Sequence, residues 1–428
     1  MYIKEDFLQY LWMHKLLPLN NLKTTNGESV IILSPGSLNV NSGSDFFNAK
    51  LIIDDQTWAG NVEIHVKSSD WYVHHHETDP SYDNVILHVV WEHDVDIFNK
   101  RSKSIPTIAL KSFVSKNLLQ NYHKLFSKRS NFISCEGDIK SVSNFIFENW
   151  LERLYVERLA QKSEFVVKLI QELNGDWEAV LFKLLAKNFG LKVNGEVFYE
   201  LSNSFDFSIF RKNQYNLENL EALLYGQAGF LSDNIDDNYY HKLKTKYNFL
   251  KHKYSLEALG NSQFQFFRLR PNNFPTIRIA QLASLYFIHK SMFSKIIEIE
   301  NLEEFYELFD KGVSEFWKTH YNFSSLSKKS NKKLSRSFID LLLINSIFPL
   351  LFEYYRQQGK LNNEKILSLI QQLKPESNSV IENFSTIELT ANNAMQSQAF
   401  IQLKNEYCNK YRCLQCAIGN ALLRENSM

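Results

Sequence analysis

Cysteine is scarce: the 428 residues contain four, and three of them crowd into a single stretch as Cys408, Cys413 and Cys416, with Cys135 far upstream. That excludes a disulfide-stapled scaffold, which depends on many evenly used cysteines. Charge of one sign is lacking too. Lys and Arg number 48 against 47 Asp and Glu, so the chain as a whole advertises neither an acidic nor a basic partner. No long apolar run occurs either: the longest such region, Phe338 to Tyr355, is broken by Asp340, Asn345, Pro349 and Glu353 and reads as a buried helix, not a membrane span. The N-terminus has two acids among its first six residues and no basic start before an apolar core, unlike a secretory signal. A cytoplasmic protein with no membrane partner is expected. Missing also are a phosphate-binding P-loop, a G-x-S-x-G elbow, an H-E-x-x-H pair, a fixed-period repeat and a low-complexity linker.

What the chain has is 44% hydrophobic residues, enough for a large core, and a charge that is unevenly distributed. Residues 1–100 hold six lysines against fourteen acids, and seven of the twelve histidines. Residues 101–130 hold seven Lys and Arg and no acid, with further basic clusters at Lys242–Lys253 and Lys328–Arg336. An acidic, histidine-rich segment concentrates cations and a basic one meets phosphates, although either is also an ordinary solvated face.

Hydrophobic periodicity divides the chain. Lys4–Leu17 carries apolar residues at helical spacing. Val30–Leu33, Phe46–Ile53 and Val62–Val66 are short, alternating and bounded by turn formers, hence strands. Asp70 is placed to cap a short helix through His74, His75 and His76, and the continuous apolar run Val85–Val90 predicts a strand covered on both faces. After about residue 130 the period becomes 3.6. The expected helices run from Ser141 or Ser143 to Leu173, from Asp176 to Gly190, and near 216–230, 236–254, 276–292, 302–320, 335–357, 362–373 and 390–407. The fold class expected is α+β: an α/β domain over 1–130 with a mixed sheet, then a larger α-helical domain over 131–428 carrying the C-terminal cysteines.

The chemistry concentrates in "GNVEIHVKSSDWYVHHHETD". In a strand, Val62, Ile64 and Val66 face one way, and Glu63, His65 and Lys67 line the other face about 6.5–7 Å apart. Asp45 opens the preceding strand, so pairing of the two strands brings it to Glu63. Two carboxylates of this kind hold Mg²⁺ or Mn²⁺ against a substrate phosphate, with His65 or Lys67 orienting water or phosphate. His88 within "VILHVV" reads as a hydrogen-bonded core histidine. Adjacent helical residues stand about 100° apart, so the three consecutive histidines cannot all converge from one helix, though His74 or His76 can approach the strand face. Cys135, Cys408, Cys413 and Cys416 suit Zn²⁺ or an iron–sulfur cluster; reduced, partly buried thiols are the alternative. Arg101 and Lys103, and Arg268, Arg270 and Arg278 around two prolines in "RLRPNNFPTIRIAQLA", are candidate phosphate contacts, or salt-bridging residues that fix a loop.

The order α-β-β-β-α-β, with an Asp opening the second strand and Glu-x-His on the third, resembles the PD-(D/E)xK nuclease core, a restriction-endonuclease-like fold. That resemblance implies a metal-dependent phosphodiesterase acting on nucleic acid, with Asp45 and Glu63 on the metal, His65 where the family has lysine, and Lys67 two residues on. Ser44 stands where the family has proline. The implied alternatives are a nucleic-acid-binding or scaffold protein that has lost catalysis, and a small-molecule metal hydrolase using His65, Asp70 and His74 or His76. The strings "GSDFFNAKLII", "YDNVILHVVWEHD", "EALLYGQAGFL" and "CLQCAIG" resemble the uncharacterised bacterial family known as domain of unknown function 2851, over nearly the whole chain.

Overall fold

Acidic residues Glu5 and Asp6 open the first helix, where the helix dipole favours them, and Phe7, Leu8, Leu11 and Trp12 are its buried stripe. The computed structural model describes residues 3–127, 131–360 and 363–425. They fall into two compact units, residues 1–150 with 403–428, and residues 151–402. The three C-terminal cysteines, grouped on sequence with the helical region, thus lie in the first unit.

The first unit runs α1 (Glu5–Met13), β1 (Val30–Ser34), β2 (Ser37–Leu38), β3 (Phe46–Ile53), β4 (Gln56–Lys67), α2 (Asp70–Val73), β5 (Val85–Glu92), β6 (Thr107–Ala109) and α3 (Lys116–Ser127). α1 is shorter than expected because the chain turns at Lys15, which has φ 51°. The sheet order is β1-β3-β4-β5-β6, with β2 also on β3. β1, β3 and β4 are antiparallel, whereas β4–β5 and β5–β6 are parallel, so the sheet is mixed, as expected. One face carries Leu51, Val62, Ile64, Leu87, Val89 and Ile108 into a core with α1 and α3. Each such side chain contributes roughly 1.5–3 kcal/mol by leaving water. Val66, expected there too, is only half-buried near the end of β4. On the opposite face Trp71, Val85, Ile97 and Ile105 form a smaller cluster.

The second unit is helical, as the 3.6-residue period predicts. Asp176 caps Trp177–Phe189 by accepting from the Ala179 amide, and Asn216 and Asp237 likewise cap Leu217–Gln227 and Asn238–Tyr254. Gly190 ends the first of these, but another helix, Leu191–Asn203, restarts at once. The positive φ at this joint, 55°, belongs to Leu191; Gly190 is required for space, since a Cβ there would stand 2.3 Å from the Asn194 carbonyl. The expected helix 302–320 is two pieces, Leu302–Phe309 and Glu315–Lys318. The apolar helix Arg336–Gln357 is continuous, long and apolar enough to cross a membrane, and 67% of its most apolar window is buried within the protein. Its π turn, Leu343–Ile347, loosens the hydrogen-bond ladder just before Pro349, whose ring would clash with the carbonyl four residues back in a regular helix.

Candidate functional site

Pairing of β3 with β4 brings Asp45 to Glu63. The Asp45 amide donates to Glu63 Oε2 at 3.1 Å, and the Ile64 amide donates to Asp45 Oδ2 at 2.9 Å. Gln9 on α1 donates to Asp45 Oδ1 at 2.8 Å. Both carboxylates are deeply set, and removal from water raises them: Asp45 to about 7, with the Glu63 carboxylate adding to the effect, and Glu63 to about 8, with Glu5 adding. A carboxylate pair in this state calls for a shared proton or a cation.

His65 follows on the same face and is 2% exposed. Its Nδ1 stands 2.8 Å from Nε2 of the fully buried His88, and its Nε2 stands 3.1 Å from His74 Nδ1 and 3.6 Å from Glu63 Oε1. His76 Nε2 reaches the same Glu63 oxygen at 3.4 Å. The three consecutive histidines do not lie on a helix. α2 ends at Val73, and His75 adopts φ 59°, which turns the chain back so that His74 and His76 both approach His65. Ser69 takes the N-cap position of α2 where Asp70 was expected; Asp70 is the first helical residue and accepts from the Lys67 amide. Asp94 anchors the turn by accepting from the Ser68 hydroxyl and from both the amide and the hydroxyl of Ser69. Tyr82 stacks on His76 at 3.7 Å between ring centroids, and Trp71 packs edge-on to it.

The ligand atoms of His65, His74 and His76 lie within 4.8 Å of one another. Zinc–nitrogen bonds of about 2.0–2.1 Å set donors about 3.4 Å apart on a tetrahedral edge, and the separations above, 3.1, 3.4 and 3.6 Å, bracket that value. His65, His76 and His88 are held neutral. Burial, helped by His76 and His74, lowers His65 to about 3; it lowers His76 as well, and takes His88 well below the usual range. Were His65 to offer Nε2 to a metal, its proton would lie on Nδ1, facing His88 Nε2, in the outer hydrogen bond that orients a ligating imidazole.

Lys67, two residues further along β4, is exposed at the strand end. Glu5, which the sequence reading did not single out, is half-buried on α1 one turn before Gln9, and its charge is felt by Asp45 and Glu63 and by His76. The i, i+4 spacing of Glu5 and Gln9 on one helix was the available signal.

The basic residues are dispersed. Arg101 and Lys103 are exposed between β5 and β6, Lys103 lying 4.8 Å above the Trp58 ring; Lys128 and Arg129, which extend that basic run, lie outside the described residues. Arg268 and Arg270 are exposed in the second unit, but Arg278 is buried. Its guanidinium donates to Asn273 Oδ1 and Gln281 Oε1 and lies 3.5 Å over the Phe338 ring, which makes it a loop-fixing group. Arg270 and Arg278 share the wall of a cavity of about 570 Å³ with Tyr321 and Ser335. Cys135, Cys408, Cys413 and Cys416 all line one space in the first unit.

No curated protein and no solved structure matches the chain. A family model described as a protein of unknown function, DUF2851, matches residues 5–379, a span that includes α1, the sheet, both carboxylates, the histidines and Cys135 and ends before the other three cysteines. On that match, which covers most of its length, the chain belongs to the DUF2851 family.

Proposed function

We propose that the chain is a metal-dependent hydrolase of phosphodiesters, acting on nucleic acid at the face formed by Glu63, His65, His74 and His76. The observation that carries this reading is the meeting of two ionisable carboxylates with three imidazoles beside one sheet face. Three imidazoles and a carboxylate suit Zn²⁺ or Mn²⁺ better than Mg²⁺, which prefers oxygen ligands and keeps its waters. A bound ion would lower the pKa of its water and stabilise charge on the phosphate. Asp45, held by Gln9 and the Ile64 amide and raised to about 7, is poised to take the proton of the attacking water. Lys67 at the strand end, with Arg101 and Lys103, supplies exposed positive charge for a phosphate backbone.

A second reading, a small-molecule metal hydrolase, is favoured by the imidazole-rich donor set; Asp70, engaged with the Lys67 amide, is not part of it. Cleavage of labelled single- and double-stranded DNA and RNA, and of a small aryl phosphodiester, is to be measured with Mn²⁺, Zn²⁺ and Mg²⁺ for the parent and Glu63→Gln. Nucleic-acid cleavage lost in the variant is expected. Cleavage of the small diester alone transfers the case to the second reading, and no cleavage of any substrate by the parent sinks both.

A further inference from the structure

The cavity of about 570 Å³ in the second unit is walled by the turn Pro271–Asn273 with Arg270 before it, by Arg278 of the helix Pro275–Ile288, by Tyr321, and by the start of the apolar helix. Its size is that of a small-molecule site. Among the described residues that line it there is no acid.

Arg278 is 5% exposed, and the two acceptors of its guanidinium, Asn273 Oδ1 and Gln281 Oε1, are neutral. Its Nε, also buried, donates to nothing among the described residues. The Phe338 face beneath it attracts a cation but carries no net charge. Fixing the loop thus occupies two nitrogens and leaves the charge unanswered. Burial lowers its pKa to about 9, and a buried cation without an anion is strongly unfavourable. Lys332 repeats the pattern. It is 4% exposed, donates to the Trp317 and His320 carbonyls and to the Ser327 hydroxyl, and lies 4.2 Å over the Tyr321 ring. Gln281 ties the two cations together, since its Nε2 donates to the Lys332 carbonyl at 2.7 Å. Two basic side chains therefore stand in the wall, and a third packs on Tyr321.

Charge and donor number choose the ligand. A carboxylate brings one negative charge and two oxygens, whereas a phosphate monoester brings about −1.5 to −2 and three acceptor oxygens. The wall matches the second: it has the exposed fork of Arg270, the free Nε of Arg278, and the hydroxyls of Ser335 and Ser337, which stand 3.2 Å apart. A guanidinium fork meets two phosphate oxygens at once. The rest of the wall includes Leu191, Phe338 and Leu341, an apolar surface for the organic part of an ester.

We infer that this cavity binds the phosphate monoester of a small organic molecule, with Arg270 and Arg278 answering its charge. The site lies within the second unit and is independent of the reaction proposed at the histidine cluster. The test is calorimetric titration of the full chain in chelator with phenyl phosphate, with benzoate, and with a single-stranded oligonucleotide lacking a terminal phosphate. Phenyl phosphate should bind saturably at about 1 mM or below, and benzoate at least roughly tenfold more weakly. Arg270→Ala, a change at an exposed position, should fold normally by circular dichroism and weaken phenyl phosphate by about tenfold or more, while Glu63→Gln should bind it as the parent does. No binding by the parent at about 10 mM, equal affinity for benzoate, an Arg270→Ala variant that binds as well as the parent, or loss of binding in Glu63→Gln overturns the inference. So does an oligonucleotide that displaces phenyl phosphate at lower concentration, which would assign the cavity to a nucleic-acid backbone.

Discussion

Replacing Glu63 by Gln tests the electrostatics of the histidine site in the metal-free protein. Below about pH 4.5 the Glu63 carboxyl is protonated in both folded and unfolded chains, so its ionisation contributes nothing to stability. As pH rises, the unfolded chain releases the proton while the folded chain keeps it up to about 8, so stability falls across that window and levels off above it. The gap between the ordinary value and about 8 corresponds at pH 7 to about 3 kcal/mol at most, and relaxation of the site reduces it. Gln is isosteric, can still accept from the Asp45 amide and carries no charge among Asp45, Glu5, His65 and His76. In chelator at pH 8, Glu63→Gln should melt above the parent by roughly 5 °C, at about 2–4 °C per kcal/mol for a unit of this size. The difference should shrink towards zero near pH 4.5. Added Zn²⁺ or Mn²⁺ should reverse the order by stabilising only the parent. Melting followed by circular dichroism between pH 4.5 and 9 decides: a variant less stable than the parent at pH 8 without metal, or a difference that ignores pH, refutes the reasoning.

Three further outcomes follow from the same contacts. His74→Ala and His76→Ala should each weaken Zn²⁺ or Mn²⁺ binding at least tenfold by calorimetric titration, whereas His75→Ala, altering the member of the run that lies outside the His65 group, should leave it within about twofold. The metal-free parent should also lose stability as pH falls below about 6.5 towards 3, because the unfolded chain protonates imidazoles that the fold holds neutral; His65→Asn should flatten that acid limb in a urea titration series. Arg278→Ala should cost about 2–4 kcal/mol in denaturant unfolding, since it removes the stack on Phe338 and strips Asn273 and Gln281 of their donor; a cost below about 0.5 kcal/mol would show the guanidinium to be idle.

Pattern alone revealed the strand face that bears the site, because a half-covered strand must alternate, and "NVEIHV" alternates visibly. The pairing of Asp45 with Glu63 was legible for the same reason: two neighbouring strands and a short turn leave few registers, and the acid at the start of β3 has to meet the middle of β4. The histidines were legible only in part: His74 or His76 could be expected near the strand face, but not both. "DWYVHHH" scans as one helix, on which neighbours diverge, and only the left-handed His75 lets alternate residues converge. Nothing in histidine's propensities demands that conformation; the anchoring of the turn by Asp94, a residue 25 positions from Ser69, surrounds it. Glu5 escaped notice because its partners lie on other elements, and of the two roles the sequence left open for Arg278, its burial over an aromatic ring favours the loop-fixing one. The joint at Gly190 carries the same lesson in reverse. A glycine there reads as a stop that supplies positive φ, yet Leu191 takes the left-handed conformation, and the glycine is needed because the next helix begins within 2.3 Å of where its Cβ would be. Local pattern therefore located the elements and the carboxylates, while the donors that would complete a metal site depend on one backbone reversal that only the folded chain specifies.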